Sequence, residues 1–256
     1  MLINKIRLLV QAFSFLILTY GGRIGINLGY ALPCFACPYV AGCGGYCFLM
    51  FLQRVGIFGI AAYDRIFTYI GLQNLLWFLI FAVSAIILSK FWCGWICPFG
   101  SLLDALSGLR KKMGIREIEF SWTVRTMIKP IKYIFLAVIL VVPLLIAFLG
   151  LSSDFYILFC KICPARPIMP IFAGDIRRFG LEYSNWSTLI ISIVSVSFAA
   201  ITIVGSFFKD RFFCMVCPML PLIHLFNKLS PVRFVKWADG CSGCGNCQRV
   251  CPMDIR

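Results

Sequence analysis

Four long apolar stretches restrict this chain more than any other feature. Ile6 to Gly25, Leu72 to Phe91, Ile131 to Leu151 and Ser187 to Phe208 could each cross a bilayer core of about 30 Å, which takes roughly 20 helical residues. A segment in hydrocarbon must satisfy its own backbone hydrogen bonds, so each is expected to be a helix. Lys5 and Arg7 ahead of the first stretch resemble the start of a signal peptide, but no small-x-small cleavage site follows, and the stretch is read as a span. With 61% hydrophobic and 13% charged residues, the composition is that of an integral membrane protein. The net charge of +14 would suggest nucleic acid for a soluble chain; here the basic residues belong on loops beside anionic lipid, and nucleic acid is excluded as a partner.

Those basic residues set an expected direction. Lys and Arg number two in the N-terminal tail, eight from Lys90 to Lys132 and seven from Lys209 onward, against three and four in the two intervening segments. The positive-inside rule then places both termini and the middle loop in the cytoplasm, in a multi-pass protein of the cell's inner membrane. Phe48 to Tyr69 is apolar but carries Arg54, Asp64 and Arg65, so an interfacial or re-entrant helix is expected there rather than a fifth span.

Fourteen cysteines in C-x-x-C spacings point to metal or redox chemistry rather than a disulfide scaffold. The single histidine, His224, and the absence of C-x-x-C-H argue against haem held by this chain alone. Cys34 and Cys37 follow the first span, Cys93 and Cys97 the second, Cys160 and Cys163 the third, and Cys214 and Cys217 the fourth; every pair is followed by proline. Cys34 to Cys160 is 126 residues and Cys93 to Cys214 is 121, so a unit of helix, outer pair, helix, inner pair occurs twice. The expected fold is an all-α, four-helix transmembrane bundle built as a pseudo-twofold repeat, with repeats of about 1–125 and 126–230. Cys93 and Cys97 should meet Cys214 and Cys217 at the cytoplasmic end, and Cys34 and Cys37 should meet Cys160 and Cys163 at the outer end.

Four thiolates at one point suit an iron–sulfur cluster or a zinc ion. The trailing prolines preset φ for a first helical position and turn the chain just after the second ligand. Gly94 and Gly100 allow a tight ligand loop, and Trp92, Trp95 and Phe99 are candidates for keeping water out. Cys43 and Cys47 have no counterpart in the second half on this count; completing or replacing ligands in the outer cluster, holding a further cofactor and forming a disulfide all stay open.

Residues 231–256 form a separate module. Cys241, Cys244, Cys247 and Cys251 have the C-x2-C-x2-C-x3-C-P spacing of bacterial-type [4Fe–4S] ferredoxins. In two-cluster ferredoxins the fourth cysteine serves the other cluster, so either all four bind one cluster or a second run lies beyond Arg256, and the abrupt ending favours the second. His224 is read as an interfacial residue before a quinone ligand, Arg110, Lys111 and Lys112 as solvated topology determinants, Pro143 as a kink and Arg23 as a side chain reaching the headgroups.

The element FWCGWICPFG, with Cys93 and Cys97, resembles the C-G-x-x-C-P-x-G motif of membrane-bound polyferredoxin-like proteins of the NapH and NosR type. Cys214, Cys217 and Pro218 resemble it more loosely, with two residues between the cysteines instead of three. The resemblance implies a four-helix core, cytoplasmic [4Fe–4S] clusters, and electron exchange with quinones or partner redox proteins in a larger complex. The added pairs Cys34/Cys37 and Cys160/Cys163 depart from that pattern and suggest clusters near both faces, two to three in all with the tail. The leading expectation is therefore a non-catalytic electron-transfer subunit, linking a cytoplasmic donor or acceptor such as a ferredoxin to a quinone or partner at the membrane or its outer face. No histidine–carboxylate pair or nucleophile motif suggests bond-making chemistry of its own. A thiol–disulfide oxidoreductase working through dithiols, and a structural or assembly subunit, are the alternatives.

Overall fold

The computed structural model describes residues 2–58, 69–118, 120–149, 155–177, 184–227 and 229–231. These residues are helical, with no strand among them beyond an isolated bridge between Leu32 and Cys47. The helices are α1 (Leu2–Tyr20), α2 (Phe48–Phe58), α3 (Tyr69–Leu88), α4 (Pro98–Lys112), α5 (Trp122–Ile128), α6 (Ile131–Leu149), α7 (Leu158–Ile162), α8 (Ala165–Phe172), α9 (Trp186–Phe208), α10 (Phe212–Val216) and α11 (Met219–Asn227). Four helical stretches are long and apolar enough to cross a bilayer: Ile3–Ile24, Gly71–Leu88, Thr126–Leu149 and Trp186–Phe208. They fall within a few residues of the four stretches expected from hydropathy, apart from an earlier start of the first and third.

These helices are apolar outward as well as inward. Leu8, Phe13, Leu72, Phe148 and Ile201 are among many large side chains exposed on their surfaces, which suits lipid contact and would be an oversized apolar patch on a protein surrounded by water. The buried face of α9 is lined instead by Ser192, Ser195, Ala199, Thr202 and Ser206, three or four residues apart. Small side chains at that spacing let neighbouring helices approach closely where no hydrophobic effect drives them together.

The connections determine the interior. We call the end that carries the N-terminus of α1, the C-termini of α3 and α9 and the N-terminus of α6 the near end. At this end α4 lies against α1 and α9, and α11 against α3 and α6, so the helix following each cysteine pair packs on spans of both halves. The segment after α1 does not stay at the far end. It is laid on α1 by the Gly44 N–H donating to Leu18 O (3.1 Å), runs back on itself through Tyr46 N–H to Gly29 O (2.7 Å) and Phe48 N–H to Leu32 O (3.0 Å), and leads into α2.

Helix α2 packs along α6, and its first residues, Phe48, Leu49, Met50 and Phe51, are buried. The expected re-entrant element is thus a helix driven into the bundle by its own apolar face, as far as Phe58; residues 59–68 of that segment lie outside the described residues. Phe48 stacks on Phe81 with ring centroids 3.6 Å apart. Phe81 is seven residues before the end of α3, so this contact sits about 10 Å in from the near end at 1.5 Å per residue. On the other half, Phe159 of α7 meets Phe135 at 5.7 Å, four residues after α6 begins, or about 6 Å in. The pairs expected at the outer end therefore fold back to the near half. The reason is that the segments carrying them, rich in Phe, Ile and Met, fill the interior of the bundle.

A Cβ on Gly44 would lie 2.2 Å from the Ile17 carbonyl oxygen, whereas a Cβ on Gly108 of α4 would meet open space. Gly44→Ala is expected to lower the thermal midpoint of the detergent-solubilised protein, by an overpacking penalty of about 1–3 kcal/mol. Gly108→Ala should raise it, by up to about 1 kcal/mol of helix propensity.

Candidate metal centres

Three cysteine loops share one backbone plan. Each opens on a non-glycine residue in the left-handed region, Ser89 (φ 42°), Ile157 (φ 49°) and Arg211 (φ 53°), and among the described residues no other non-glycine residue has positive φ. Each continues through one helical turn carrying the first cysteine, and places the second in extended conformation: Cys97 at φ −61°, ψ 116°, Cys163 at −60°, 133°, and Cys217 at −64°, 122°. Proline follows, and a helix starts. A β-branched residue such as Ile157 in the left-handed region is costly, and such strain collects where a site needs it. The extra residue in Cys93–Cys97 is absorbed by a π turn over Trp92–Ile96, closed by Cys97 N–H donating to Trp92 O at 2.9 Å. A five-residue step is what a π turn provides and an α turn does not, so the two spacings reach the same backbone geometry.

The second cysteine of each loop lies just ahead of a helix and takes N–H donors from its first turn. Cys97 Sγ accepts from Gly100 N–H at 3.4 Å and also from the Phe35 and Phe99 backbone. Cys163 accepts from Ala165 and Cys217 from Met219. Cys47, which no proline follows, takes the same position ahead of α2, with donors from Leu49 and Met50. Four helix N-termini thus face cysteine sulfurs, and their N–H groups would stabilise negative charge placed there.

The first site, at the near end, is a cavity lined by Cys34, Cys93, Cys97, Cys214 and Cys217. Cys93, Cys97, Cys214 and Cys217 come together as expected from the sequence. Cys34 joins them and is not at the other site. It is 1% exposed and packs in a cluster bordered by Trp92, Ile96 and Cys97. Of the residues expected to exclude water, Phe99 does so in a trio with Phe35 and Phe213, whose rings lie 5.2 to 6.2 Å apart. Trp92 borders the Cys34 cluster, whereas Trp95 stacks on Phe91.

A polar clamp holds this site, and sequence reasoning missed it. Asp104 of α4 receives Arg211 Nε at 2.6 Å on one oxygen and Gln11 Nε2 at 2.7 Å on the other, with Arg7 and a second Arg211 nitrogen also on that oxygen. Arg211, 4% exposed, donates to the Cys93 and Gly94 carbonyls at 3.2 Å each. Arg7 and Gln11 also donate to Gly94 O. Burial would raise the Asp104 pKa, but Arg211, Gln11 and Arg7 outweigh it and hold the carboxyl below the usual range. The available signal was that Asp104 is the one acid in the sequence between Asp64 and Glu117, ahead of the basic run Arg110–Lys112.

The second site lies deeper. Cys163 neighbours Cys37, Cys160 and Cys47; Cys37 neighbours Cys160, Cys43 and the Arg166 charge; Cys47 neighbours Cys160 first and Cys97 of the first site after it. Cys37, Cys160 and Cys163 are together as expected, with Cys47 in the place expected for Cys34. Cys34 lines the first cavity and is close enough to Cys97, Cys47 and Cys93 to interact with all three, so it neighbours both sites. Gln53, buried, donates to Cys160 Sγ at 3.3 Å while its carbonyl accepts from Phe159 N–H at 3.0 Å. Buried Arg166 donates to Lys161 O at 3.1 Å and lies over the Tyr39 ring.

All ten described cysteines are free thiols, including Cys43 and Cys47. Among the described residues no three Cys, His, Asp or Glu side chains are close enough to bind one metal ion. Zinc would draw all its sulfurs to about 2.3 Å, whereas a multi-iron cluster takes each thiolate on a different iron. The donor set, wholly thiol and walled by aromatic rings, fits a cluster. Cys241, Cys244, Cys247 and Cys251 lie outside the described residues. His224 is exposed on α11. Arg110, expected to be solvated, is 1% exposed; it donates to Phe208 O and Asp210 Oδ1 at 2.7 Å each and ties α4 to the end of α9. Lys111 is solvated, as expected, and bridges Asp210 at 3.0 Å. Arg23 donates to Ala173 O at 3.2 Å at the far end, and Pro143 is buried within α6.

Compared with protein families, the chain matches a 4Fe-4S binding domain twice, over residues 70–116 and 191–236, which supports an iron–sulfur, ferredoxin-like protein. Each match contains one of the pairs at the first site. No curated protein and no solved structure matches the chain.

Arg211→Ala is expected to destabilise the protein by about 3–5 kcal/mol, the usual consequence of breaking a buried ion pair. Arg211→Lys should recover little, because a lysine cannot bridge both carboxylate oxygens and two carbonyls. Since the Asp104 pKa is lowered by folding, its contribution is present above the unfolded value near about 3.9 and is lost as pH falls through the folded value. Thermal midpoints measured from pH 7 downward should show an acid-dependent loss that Asp104→Asn reduces, the remainder including Asp210, which is also held below the usual range beside Lys111 and Arg110.

Proposed function

We propose that this is an electron-transfer protein of the cell's inner membrane, which passes electrons through [4Fe–4S] clusters between a cytoplasmic redox partner and a quinone or a partner redox subunit. The observation that carries the reading is the convergence of Cys93 and Cys97 with Cys214 and Cys217, from segments that both match a 4Fe-4S binding domain, on one aromatic-walled cavity. Each cluster would supply one-electron chemistry at a potential set by its surroundings.

The chain's own residues do the rest. The four cysteines supply the thiolates, Phe35, Phe99 and Phe213 keep water away, and the N–H groups at Gly100 and Met219 donate to sulfur, which makes a site easier to reduce. The Arg211 charge acts in the same direction. The tail cysteines Cys241, Cys244, Cys247 and Cys251 would hold a further cluster on the cytoplasmic side, as their spacing implies.

A pseudo-twofold origin fits the same observations. The two family matches begin 121 residues apart, as Cys93 and Cys214 do. The reciprocal packing of α4 and α11 on spans of both halves is what such a repeat produces. The dithiol alternative gains no support from the geometry, because thiol exchange needs an accessible attacking sulfur and seven of the ten described cysteines are buried.

Iron and acid-labile sulfide analysis with EPR on anaerobically purified protein tests the reading. About eight to twelve irons per chain are expected, at four per cluster. Four or fewer would leave the tail alone and sink a cluster at the first site. Cys93→Ser and Cys214→Ser should each remove the same EPR signal, since they belong to one site.

A further inference from the structure

We infer that Cys37, Cys47, Cys160 and Cys163 hold a second iron–sulfur cluster within the membrane-spanning part of the bundle, and that Cys34 is a non-ligating thiol between it and the first. The inference rests on the iron–sulfur reading above and concerns a site that the family likeness does not reach: all of these residues fall outside 70–116 and 191–236.

Position relative to the helices supports the ligand set. Cys47 precedes α2 as Cys163 precedes α8, and both repeat the placement of Cys97 before α4 and Cys217 before α11. On that register the natural counterpart of Cys163 is Cys47, and Cys34 and Cys37 are the pair without an equivalent in the second half. Cys37 completes the site because it faces both Cys160 and Cys163.

The surroundings suit an anionic cluster. Gln53 has its amide oriented by Phe159 N–H, so that its N–H groups point to Cys160 Sγ and Leu49 O. Arg166 brings a buried positive charge beside Cys37. Cys160 and Cys163 are both buried, and no disulfide consumes them.

The C-F-A-C segment fixes how near the two sites are. Cys34 lines the first cavity and Cys37 faces the second, and three residues span at most about 11 Å between their Cα atoms. Ala36 N–H bonds back to Cys34 O at 3.1 Å, which shortens the segment further. With four thiols already at each site, Cys34 and Cys43 are left over, and Cys34 is the one at the point of closest approach.

Native mass spectrometry and iron analysis of the anaerobic full-length wild type come first, because they need no variant to fold. Three clusters and about twelve irons are expected, at four per cluster. A wild type without iron would overturn the electron-transfer reading as a whole. Two clusters, one lost in Cys93→Ser and the other in Cys241→Ser, would overturn this inference and leave that reading standing. Given three, Cys47→Ser and Cys160→Ser should each lose one cluster's iron and the same EPR signal, distinct from the one Cys93→Ser removes, while Cys34→Ser keeps the full iron content. Loss of a cluster in Cys34→Ser, or full iron content in both Cys47→Ser and Cys160→Ser, would overturn the assignment.

Discussion

The Arg211–Asp104 ion pair is the contact on which the first site depends. Arg211 lies three residues before Cys214, Asp104 seven after Cys97, and their join makes one structure of two cysteine loops that are far apart in sequence. The same guanidinium grips the carbonyls of Cys93 and Gly94. It does so from a left-handed backbone, which costs energy that the hydrogen bonds offset. A buried ion pair is weak evidence for stability by itself, because desolvation opposes it. Its value here is geometric: it fixes where two pairs of sulfurs sit relative to each other before any metal arrives.

The second organising constraint is that a four-helix bundle in lipid must still fill its interior. Apolar spans do not attract one another strongly in hydrocarbon, and the spaces between them are taken by α2, α7 and α8, which are too short to cross. These short helices carry Cys160 or follow Cys47 and Cys163, so filling the bundle and bringing the second site into it are one event. The Phe48–Phe81 stack and the Phe159–Phe135 contact mark where this happens.

Legibility in the sequence followed from how local each signal is. The four spans were readable because hydropathy over twenty residues is decided by those residues alone. The first site's four cysteines were readable because they flank the span ends at a near-constant period. The second group was legible only in part: matching C-x2-C spacing to C-x2-C spacing places Cys34 beside Cys37, Cys160 and Cys163 and leaves Cys47 open, whereas the structure puts Cys34 at the first cavity and Cys47 near Cys163. The structure pairs cysteines by position ahead of a helix instead, and a π turn over Trp92–Ile96 lets C-x3-C and C-x2-C serve alike. Arg110 was read as solvated from its place in a basic run, although its partners, Phe208 and Asp210, lie about a hundred residues away and are set by the docking of α4 on α9. Asp104, Gln53 and Arg166 escaped notice for the same reason, since each acquires meaning only through a partner brought from elsewhere in the chain.

The depth of the sites bears on what kind of wire this can be. Clusters at the two edges of a core about 30 Å thick would be too far apart for direct tunnelling. The cysteines do not lie at the two edges. Both sites are in the near half of the bundle, one at its end and one about 6 to 10 Å inside by the positions of Phe135 and Phe81 along their helices. On the orientation that the basic residues suggest, that half is the cytoplasmic one. Electrons arriving from the tail would then advance through closely spaced sites and stop short of the far face. Toward the far face the described residues add Cys43, whose carbonyl lies against Gly22 just past the end of α1, and a single thiol does not make a further cluster site. On the proposed reading, a diffusible carrier within the bilayer, such as a quinone, or a cofactor on a neighbouring subunit would be the acceptor or donor that meets such a path.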